Sequence, residues 1–307
     1  MKFIFGILLS FLVIVQATAQ TFDNALQYLK QKNNVAAIDA CNSLLANSPG
    51  DPSVLGLRSL AYTALGKYDQ AVQDADKALS VDNTSAWARY AKGEILLVSV
   101  KDYNKALEEY DAAISSNAQM EEAYIGKARA YMGLQNYKDA AKVLDDAKKT
   151  FSNNAELFYM QGQLDFQNGK PKHAIESYEK SLSVNSKWNP FLLYLNRGLA
   201  HEALANYELA IQDFSKAIAA DPNNPAAFLA RGNIRYAQYH YAEAVEDFMK
   251  ADILNPNNPI ITYNIGMSYY RNEDRSSACK YFQKACSQGN NNACKMVLLN
   301  CTDRKLN

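Results

Sequence analysis

The chain has 307 residues, of which 48% are hydrophobic and 21% are charged, so it is long and apolar enough to bury a core and is not expected to be disordered. Lys and Arg number 32 and Asp and Glu number 32, and this neutral balance argues against a nucleic-acid-binding protein, which usually carries a basic excess or a basic stripe. The chain has only 13 Gly and 8 Pro, and this small number of helix-breaking residues favours a helical fold. With 3 His and 5 Cys, it has few residues that could form a metal site or an acid–base site.

Residues 1–19 have the layout of a secretory signal peptide. Lys2 precedes an apolar run over 3–15, and small residues follow at Ala17 and Ala19. The apolar run is shorter than the about 20 residues that a membrane-spanning helix needs. We therefore expect cleavage after Ala19, with an uncleaved anchor as the alternative. No later segment predicts a membrane span, so the mature protein is expected in the periplasm or outside the cell, free or peripheral to the outer membrane.

One phrase recurs through the rest of the chain: an aromatic or similar residue, two variable residues, and an Ala that opens a helical stretch. Clear copies are YNKALEEYDAAI at 103–114 and YELAIQDFSKAI at 207–218. The Ala recurs at intervals of 34 to 36 residues, at Ala37, Ala71, Ala106, Ala140, Ala174, Ala210, Ala244 and Ala278. A period of this length predicts a repeat protein built of helix pairs.

A second small residue lies 12 or 13 positions before each of these alanines. The set is Ala25, Ser59, Gly93, Ala128, Gly162, Gly198, Gly232 and Gly266. Two antiparallel helices approach most closely where neither side chain is large, so each pair predicts a first helix packed tightly on a second. Large apolar residues stand four positions beyond most of the alanines and fill the remaining space; they are Tyr110, Leu144, Tyr178, Phe214, Phe248 and Phe282.

The period and the pattern resemble those of tetratricopeptide repeat (TPR) proteins, whose unit is 34 residues. The resemblance covers about 21–290, with the clearest copies at 191–224 and 225–258. It implies an all-α fold, a right-handed α-solenoid of about eight helix-turn-helix repeats plus a C-terminal capping helix. The expected organisation is a signal peptide (1–19), the solenoid (20–290), and the capping helix with its tail (291–307).

Four cysteines lie symmetrically about the turn at 288–292: Cys279, Cys286, Cys294 and Cys301. On two helices that fold back at this turn, Cys279 faces Cys301 and the inner two face each other, so two nested disulfides should fasten the capping helix. Export favours disulfides. Reduced thiols and a four-cysteine zinc site are the alternatives, although no C-x2-C pair supports the zinc site. The segment 278–294 also resembles the cysteine-containing Sel-like relatives of these repeats.

No catalytic constellation is visible in the sequence. His173, His201 and His240 lie in different repeats, and the His201-Glu202 pair fails as an H-E-x-x-H motif because Ala205 stands where the second His is needed. Phosphate-binding loops and nucleophile motifs are also lacking. We therefore expect a protein that is not an enzyme and that needs no cofactor and no metal.

In the family that the repeats resemble, the first helices line a concave groove that holds an extended peptide or a helix of a partner. The register of the repeats assigns to that face Tyr159, Gln163, Phe166, Leu195, Asn196, Leu199, Leu229, Asn233, Tyr236, Tyr263, Asn264, Met267 and Tyr270. A Tyr side chain offers a rigid aromatic surface that ends in a hydroxyl group, and an Asn side chain can form hydrogen bonds with a peptide backbone. For any single residue, packing against the neighbouring repeat is the alternative role.

The resemblance thus implies an exported scaffold or adaptor of the cell envelope that binds another protein in its groove. Neither nucleic acid nor a membrane span is expected after signal cleavage, and the chain could act as a monomer or a homodimer. Two alternatives remain open. One is a disulfide-stapled, Sel-like structural or regulatory module, and the other is an accessory subunit of an envelope assembly or polysaccharide system.

Overall fold

The computed structural model describes residues 21–301, and this range is built of helices without any strand. The predicted signal peptide lies outside the described residues, as does most of the tail. Within the described range, no helix is both long and apolar enough to cross a bilayer. The chain divides into two compact units, unit 1 (Met1–Asn153) and unit 2 (Asn154–Asn307).

The helices form eight successive pairs, followed by one more helix. The first helices of the pairs are α1 (21–30), α3 (Pro52–Ala64), α5 (Ala86–Ile95), α7 (Glu121–Gly133), α9 (Ala155–Gln167), α11 (Pro190–Ala203), α13 (Pro225–Ala237) and α15 (Pro259–Arg271). The second helices are α2 (Asn34–Asn47), α4 (Tyr68–Val81), α6 (Tyr103–Ser116), α8 (Tyr137–Thr150), α10 (Pro171–Val184), α12 (Tyr207–Ala220), α14 (Tyr241–Leu254) and α16 (Arg275–Ser287). The last helix is α17 (Asn291–Asn300). The predicted all-α architecture of stacked helix pairs is confirmed.

Short polar turns set the ends of the helices. Asp51 caps α3 by accepting the backbone N–H groups of Ser53 and Val54 at 2.9 and 3.1 Å. The turns within the pairs each hold a residue in the left-handed conformation, which ends the first helix. In two of these turns the residue is glycine, Gly66 and Gly169, which adopts this conformation without a steric penalty.

Close packing of a small residue on a large ring holds five of the eight pairs together, at Gly93, Gly162, Gly198, Gly232 and Gly266, as the spacing predicts. A Cβ atom added to Gly198 on α11 would lie 2.6 Å from Cε1 of Phe214 on α12, and that ring is fully buried. Tyr110 on α6 extends the arrangement, because its ring fills the space left by both Gly93 of its own pair and Gly126 of the next pair. The same contact therefore joins pairs as well as helices within a pair.

The third pair contains one extra residue between its small residue and its alanine. Gly93 precedes Ala106 by 13 positions, whereas the other pairs have 12. The structure accommodates the extra residue in a π-helical turn, Leu96–Val100, which follows α5. Gly93 and Ala106 thereby remain in the close-packed core of the pair, where both are buried.

The C-terminal cysteines come together in the two nested pairs that their spacing predicts. Cys279 pairs with Cys301 and Cys286 pairs with Cys294, with Cα–Cα distances of 5.5 and 4.7 Å. Both pairs join α16 to α17, so α17 is fastened to the last full pair. The remaining cysteine, Cys41, is free and buried, and burial raises the pKa of its thiol to about 12.

The glycine contact leads to a stability prediction. Replacing Gly198→Val should lower the free energy of unfolding by about 1–3 kcal/mol, because the added atoms collide with a ring that has no room to move. The matched control is Ala203→Val, an exposed position on the same helix where only helix propensity changes. Urea unfolding followed by circular dichroism measures both variants. Equal losses for the two would contradict the packing role of Gly198.

The nested cysteine pairing can be tested by non-reducing tryptic mapping. Cys286 and Cys294 share the peptide 285–295, so their bond should appear as a closed loop within one peptide. The outer bond should join peptides 276–280 and 296–304. Reduction should release this link and remove roughly 3 kcal/mol of stability per bond. The two other pairings would each join all three peptides together, and free thiols at these four cysteines would rule out disulfides altogether.

Candidate binding groove

Two successive first helices of unit 2 form the walls of a pocket of about 210 Å³. Residues of α13 and α15 line it together with the buried ring of Phe248 from α14; those on the first helices are Asn233, Tyr236, Tyr263, Asn264 and Met267. All five belong to the groove set predicted from the register. The structure therefore brings the C-terminal part of that set, apart from Tyr270 and Leu229, to one place.

The side chains that line this pocket are uncharged. Asn233 is exposed and Asn264 is half-buried, so amide groups are available to exchange hydrogen bonds with a peptide backbone. Burial, together with the nearby hydroxyl of Tyr236, raises the pKa of Tyr263, which keeps this phenol neutral at physiological pH. At the end of α15, Arg271 donates a hydrogen bond to the Tyr236 hydroxyl, and this bond raises the pKa of Arg271. The pocket thus offers aromatic surface, amides and one nearby cation.

The N-terminal members of the predicted set are arranged differently. Tyr159 is buried, with 7% of its surface exposed, because its ring packs against Trp188 and Tyr178. Its hydroxyl accepts hydrogen bonds from the side-chain amides of Gln163 and Asn196 at 2.9 and 3.1 Å. Tyr159 therefore orients two polar groove residues and does not present its own ring to a ligand. Both of these amide side chains are half-buried.

The other predicted groove residues contribute mainly to packing. Leu195 and Leu199 pack on the core around Phe214, and Leu229 packs on the core around Phe248. Phe166 is half-buried on α9. Tyr270 donates a hydrogen bond to Asn300 Oδ1 at 3.3 Å, so its hydroxyl ties α15 to α17. These residues shape the first-helix face, whereas the pocket itself belongs to α13 and α15.

A buried ion pair that the sequence patterns did not single out fixes α13 against α14. Asp247, whose side chain is 3% exposed, accepts from Arg231 Nε and Nη2 at 3.0 and 2.7 Å and from Arg235 Nη1 at 2.9 Å. The same pairing recurs between Arg197 and Asp213. The sequence contains a pattern that could have predicted these ion pairs. The Arg directly precedes the small residue of the first helix, and the Asp stands three positions after the Ala of the second helix.

Unit 1 contains a larger pocket, of about 550 Å³, to which no sequence motif pointed. It lies among first helices, and both aromatic and charged side chains line it. Among residues 21–301, no group of three or more His, Cys, Asp or Glu side chains is placed to hold a metal ion.

Models of the tetratricopeptide repeat match most of the length of the chain. The matched residues are 52–85, 97–164, 155–187, 191–224 and 261–303, which together make up well over half of it. The chain belongs to the tetratricopeptide-repeat family. Four of the matched ranges begin at or near the start of a helix pair, whereas the match at 97–164 begins within the π-helical turn of the third pair and ends within α9.

Proteins of other organisms resemble this chain over parts of their length. A TPR repeat-containing protein of Methanocaldococcus jannaschii is 23% identical over 218 residues, which are 67% of this chain and 37% of that protein. The mitochondrial import receptor subunit TOM34 of Rattus norvegicus is 28% identical over 206 residues, 63% of this chain and 64% of the receptor subunit. The Hsp70-Hsp90 organizing protein of Triticum aestivum is 29% identical over 103 residues, 34% of this chain and 18% of that protein. This chain thus spans less than two thirds of each relative.

Solved structures share the fold of this TPR chain at low sequence identity. The structure of the APC/C hetero-tetramer Cut9-Hcn1 has a TM-score of 0.69 at 16% identity and covers 91% of this chain and 55% of its own. PilW, a type IV pilus biogenesis factor, has a TM-score of 0.60 at 18% identity and covers 69% of this chain and 98% of its own. At these identities the likeness concerns the fold alone.

The buried ion pair behind the pocket gives a second stability prediction. Asp247→Ala should lower the free energy of unfolding by about 3 kcal/mol, because it leaves two arginines without their buried partner. The control, Asp146→Ala, removes an exposed partner of Lys149 and should leave stability nearly unchanged. Thermal and urea unfolding measure the difference. Similar small losses for both would show that Asp247 does not hold α13 in place.

Proposed function

We propose that this TPR protein is a non-catalytic scaffold that binds another protein in the groove of unit 2. The observation that carries the proposal is the pocket between α13 and α15, where two tyrosines, two asparagines and a methionine meet. Such side chains suit an extended peptide, because aromatic rings cover its apolar groups while amides bond its backbone. Both helices are held by buried packing, so binding costs little ordering entropy.

Relatives with adaptor names support a role in protein interaction. TOM34 is named an import receptor subunit and the wheat relative is named an Hsp70-Hsp90 organizing protein. By analogy, the partner of this chain is another protein, recognised through an extended peptide or a helix. The uncharged pocket favours a partner segment that is neutral at this contact, since a buried charge would find no opposite charge among the five lining residues of the first helices.

We propose further that the protein acts after export, in the cell envelope. The layout of residues 1–19 supports this, because it has the charge, the apolar run and the small residues of a signal peptide. The two C-terminal cysteine pairs also support it, because disulfides persist in oxidising compartments such as the periplasm. N-terminal sequencing of the protein recovered from its own host tests export, and a mature chain that still begins at Met1 would contradict cleavage.

A photo-crosslinking experiment tests the groove. A photoreactive amino acid at Asn233 should capture one dominant partner in living cells, whereas the same group at Glu246, an exposed position on α14, should not. Mass spectrometry then identifies the adduct. Equal capture from the two positions would argue against the groove and for a surface outside it.

Paired substitutions then measure the contribution of the tyrosines. Tyr236→Ala with Tyr263→Ala should weaken binding of the captured partner at least tenfold, because two aromatic contacts and their buried area are lost. Tyr207→Ala is the control, since this tyrosine is 38% exposed at the start of α12 and does not line the pocket. Circular dichroism must show the native helix content for both variants. Unchanged affinity with native folding would favour the alternative of a disulfide-stapled structural module.

A further inference from the structure

The larger pocket of unit 1 has an apolar side built from three first helices. Trp87 and Tyr90 on α5 meet edge to face, with their ring centroids 6.3 Å apart, and both line the pocket. Leu29 of α1 and Leu60 of α3 line it beside them. A pocket of about 550 Å³ lies within the roughly 300–1,000 Å³ that ligand sites occupy, and its aromatic floor suits a large apolar group.

Helix α1 closes this pocket on one side. Lys30 of α1 reaches α7, where its Nζ lies 3.1 Å from Glu122 and 3.7 Å from Glu121. The ring of Phe22, also on α1, contacts Trp87 on α5 at 6.1 Å. Because α1 thus spans from α5 to α7, the unit 1 pocket is bounded by the chain itself.

The opposite side of the pocket carries a buried carboxylate. Glu94 is 9% exposed, accepts a hydrogen bond from the Tyr110 hydroxyl at 2.7 Å, and accepts from Arg129 Nη1 at 3.0 and 3.2 Å. Burial opposes the charged form of Arg129, but the carboxylate of Glu94 together with the hydroxyls of Tyr90 and Tyr110 outweighs it, so the pKa of the guanidinium is raised. The side chain of Arg129 remains 42% exposed.

The charge left without a partner among the side chains that line the pocket is cationic. Both lining carboxylates already have basic partners, Glu94 in Arg129 and Glu122 in Lys30. Among the described residues, Lys32 forms no ion pair, and the hydrogen bonds from Arg129 to Glu94 use only Nη1. A ligand therefore meets unused N–H groups with positive charge beside an aromatic surface, and a carboxylate is the complement of such groups.

We propose that the unit 1 pocket is a second binding site, which takes a peptide segment carrying a large apolar side chain next to an acidic side chain. The apolar group lies against Trp87 and Tyr90, and the carboxylate binds Arg129 and Lys32. Lys32 stands in the turn after α1, where its backbone is left-handed with φ 59°. The site lies wholly within unit 1 and does not depend on the groove of unit 2.

A peptide-display selection on the full-length protein tests the specificity. Random dodecapeptides are selected on the Tyr236→Ala/Tyr263→Ala variant, so that the groove of unit 2 does not dominate. We expect the recovered sequences to share an aromatic or large aliphatic residue beside Asp or Glu. A synthetic peptide of the consensus should bind at least tenfold more weakly when its acidic residue is changed to the amide, which corresponds to about 1.4 kcal/mol.

Trp87 reports binding directly. The chain has two tryptophans, Trp87 and Trp188, so a Trp188→Phe background leaves one reporter, and it lies in the pocket. Titration with the selected peptide should change its fluorescence, and added salt should weaken the binding.

Two matched lysines distinguish binding at the unit 1 pocket from a general effect of the protein's charge. Lys32→Glu should weaken peptide binding about tenfold, whereas Lys101→Glu should not change it. Both lysines are exposed and left-handed, with φ of 59° and 58°, in turns between first and second helices, but only Lys32 lines the pocket. Neither substitution removes a partner from Glu94, so both variants should keep the native fold.

Several outcomes would overturn the proposal. Selected peptides that are basic or uncharged would do so, as would equal binding of the acidic and amide peptides. The same conclusion would follow if Lys32→Glu and Lys101→Glu had equal effects, or if the selection returned no peptide sensitive to Lys32→Glu. Arg129→Lys, which keeps the charge but loses the planar guanidinium, should give an intermediate loss.

Discussion

The architecture depends on an aromatic ring that fills the space left by a small residue on the neighbouring helix. Gly198 accepts the ring of Phe214, and Gly162 accepts that of Tyr178, with added Cβ atoms at 2.6 and 2.5 Å from the rings. A larger side chain would collide with the ring, and a smaller ring would leave a cavity, so the contact tolerates change in neither direction. It fixes the distance between helices, and with it the positions of the first helices whose side chains form the pockets.

Charged groups add a second, directional constraint. The buried carboxylate of Asp247 is satisfied by two arginines of α13, and Asp213 is satisfied by Arg197 of α11. A buried carboxylate costs free energy unless it is paired and hydrogen-bonded, so each pairing permits one rotation of the first helix about its axis. That rotation decides which side chains reach the first-helix face. In unit 2 it leaves Asn233 and Tyr236 at the pocket.

The two pockets differ in chemistry although the same kind of helix lines both. The unit 2 pocket combines tyrosines and asparagines without charge, whereas the unit 1 pocket combines an aromatic pair with Arg129, Lys32 and their charged neighbours. The aromatic pair comes from α5 and Arg129 from α7, while α1 brings Lys30 to α7 and bounds the pocket. A repeat scaffold can thus present distinct surfaces from repeats of one pattern, because each repeat packs only on its neighbours.

The amino-acid sequence by itself determined the helix pairs, their period and the nested cysteine pairing, because these follow from local spacing along the chain. It also located the pocket residues of α13 and α15, since their register repeats. Burial of Tyr159 was not predictable in this way, because it depends on Trp188 from the loop between α10 and α11. The unit 1 pocket was equally hidden, because α1, α5 and α7 are far apart in sequence. Only tertiary packing decides which side chains of a helix face stay accessible, since accessibility depends on neighbours that no local period encodes.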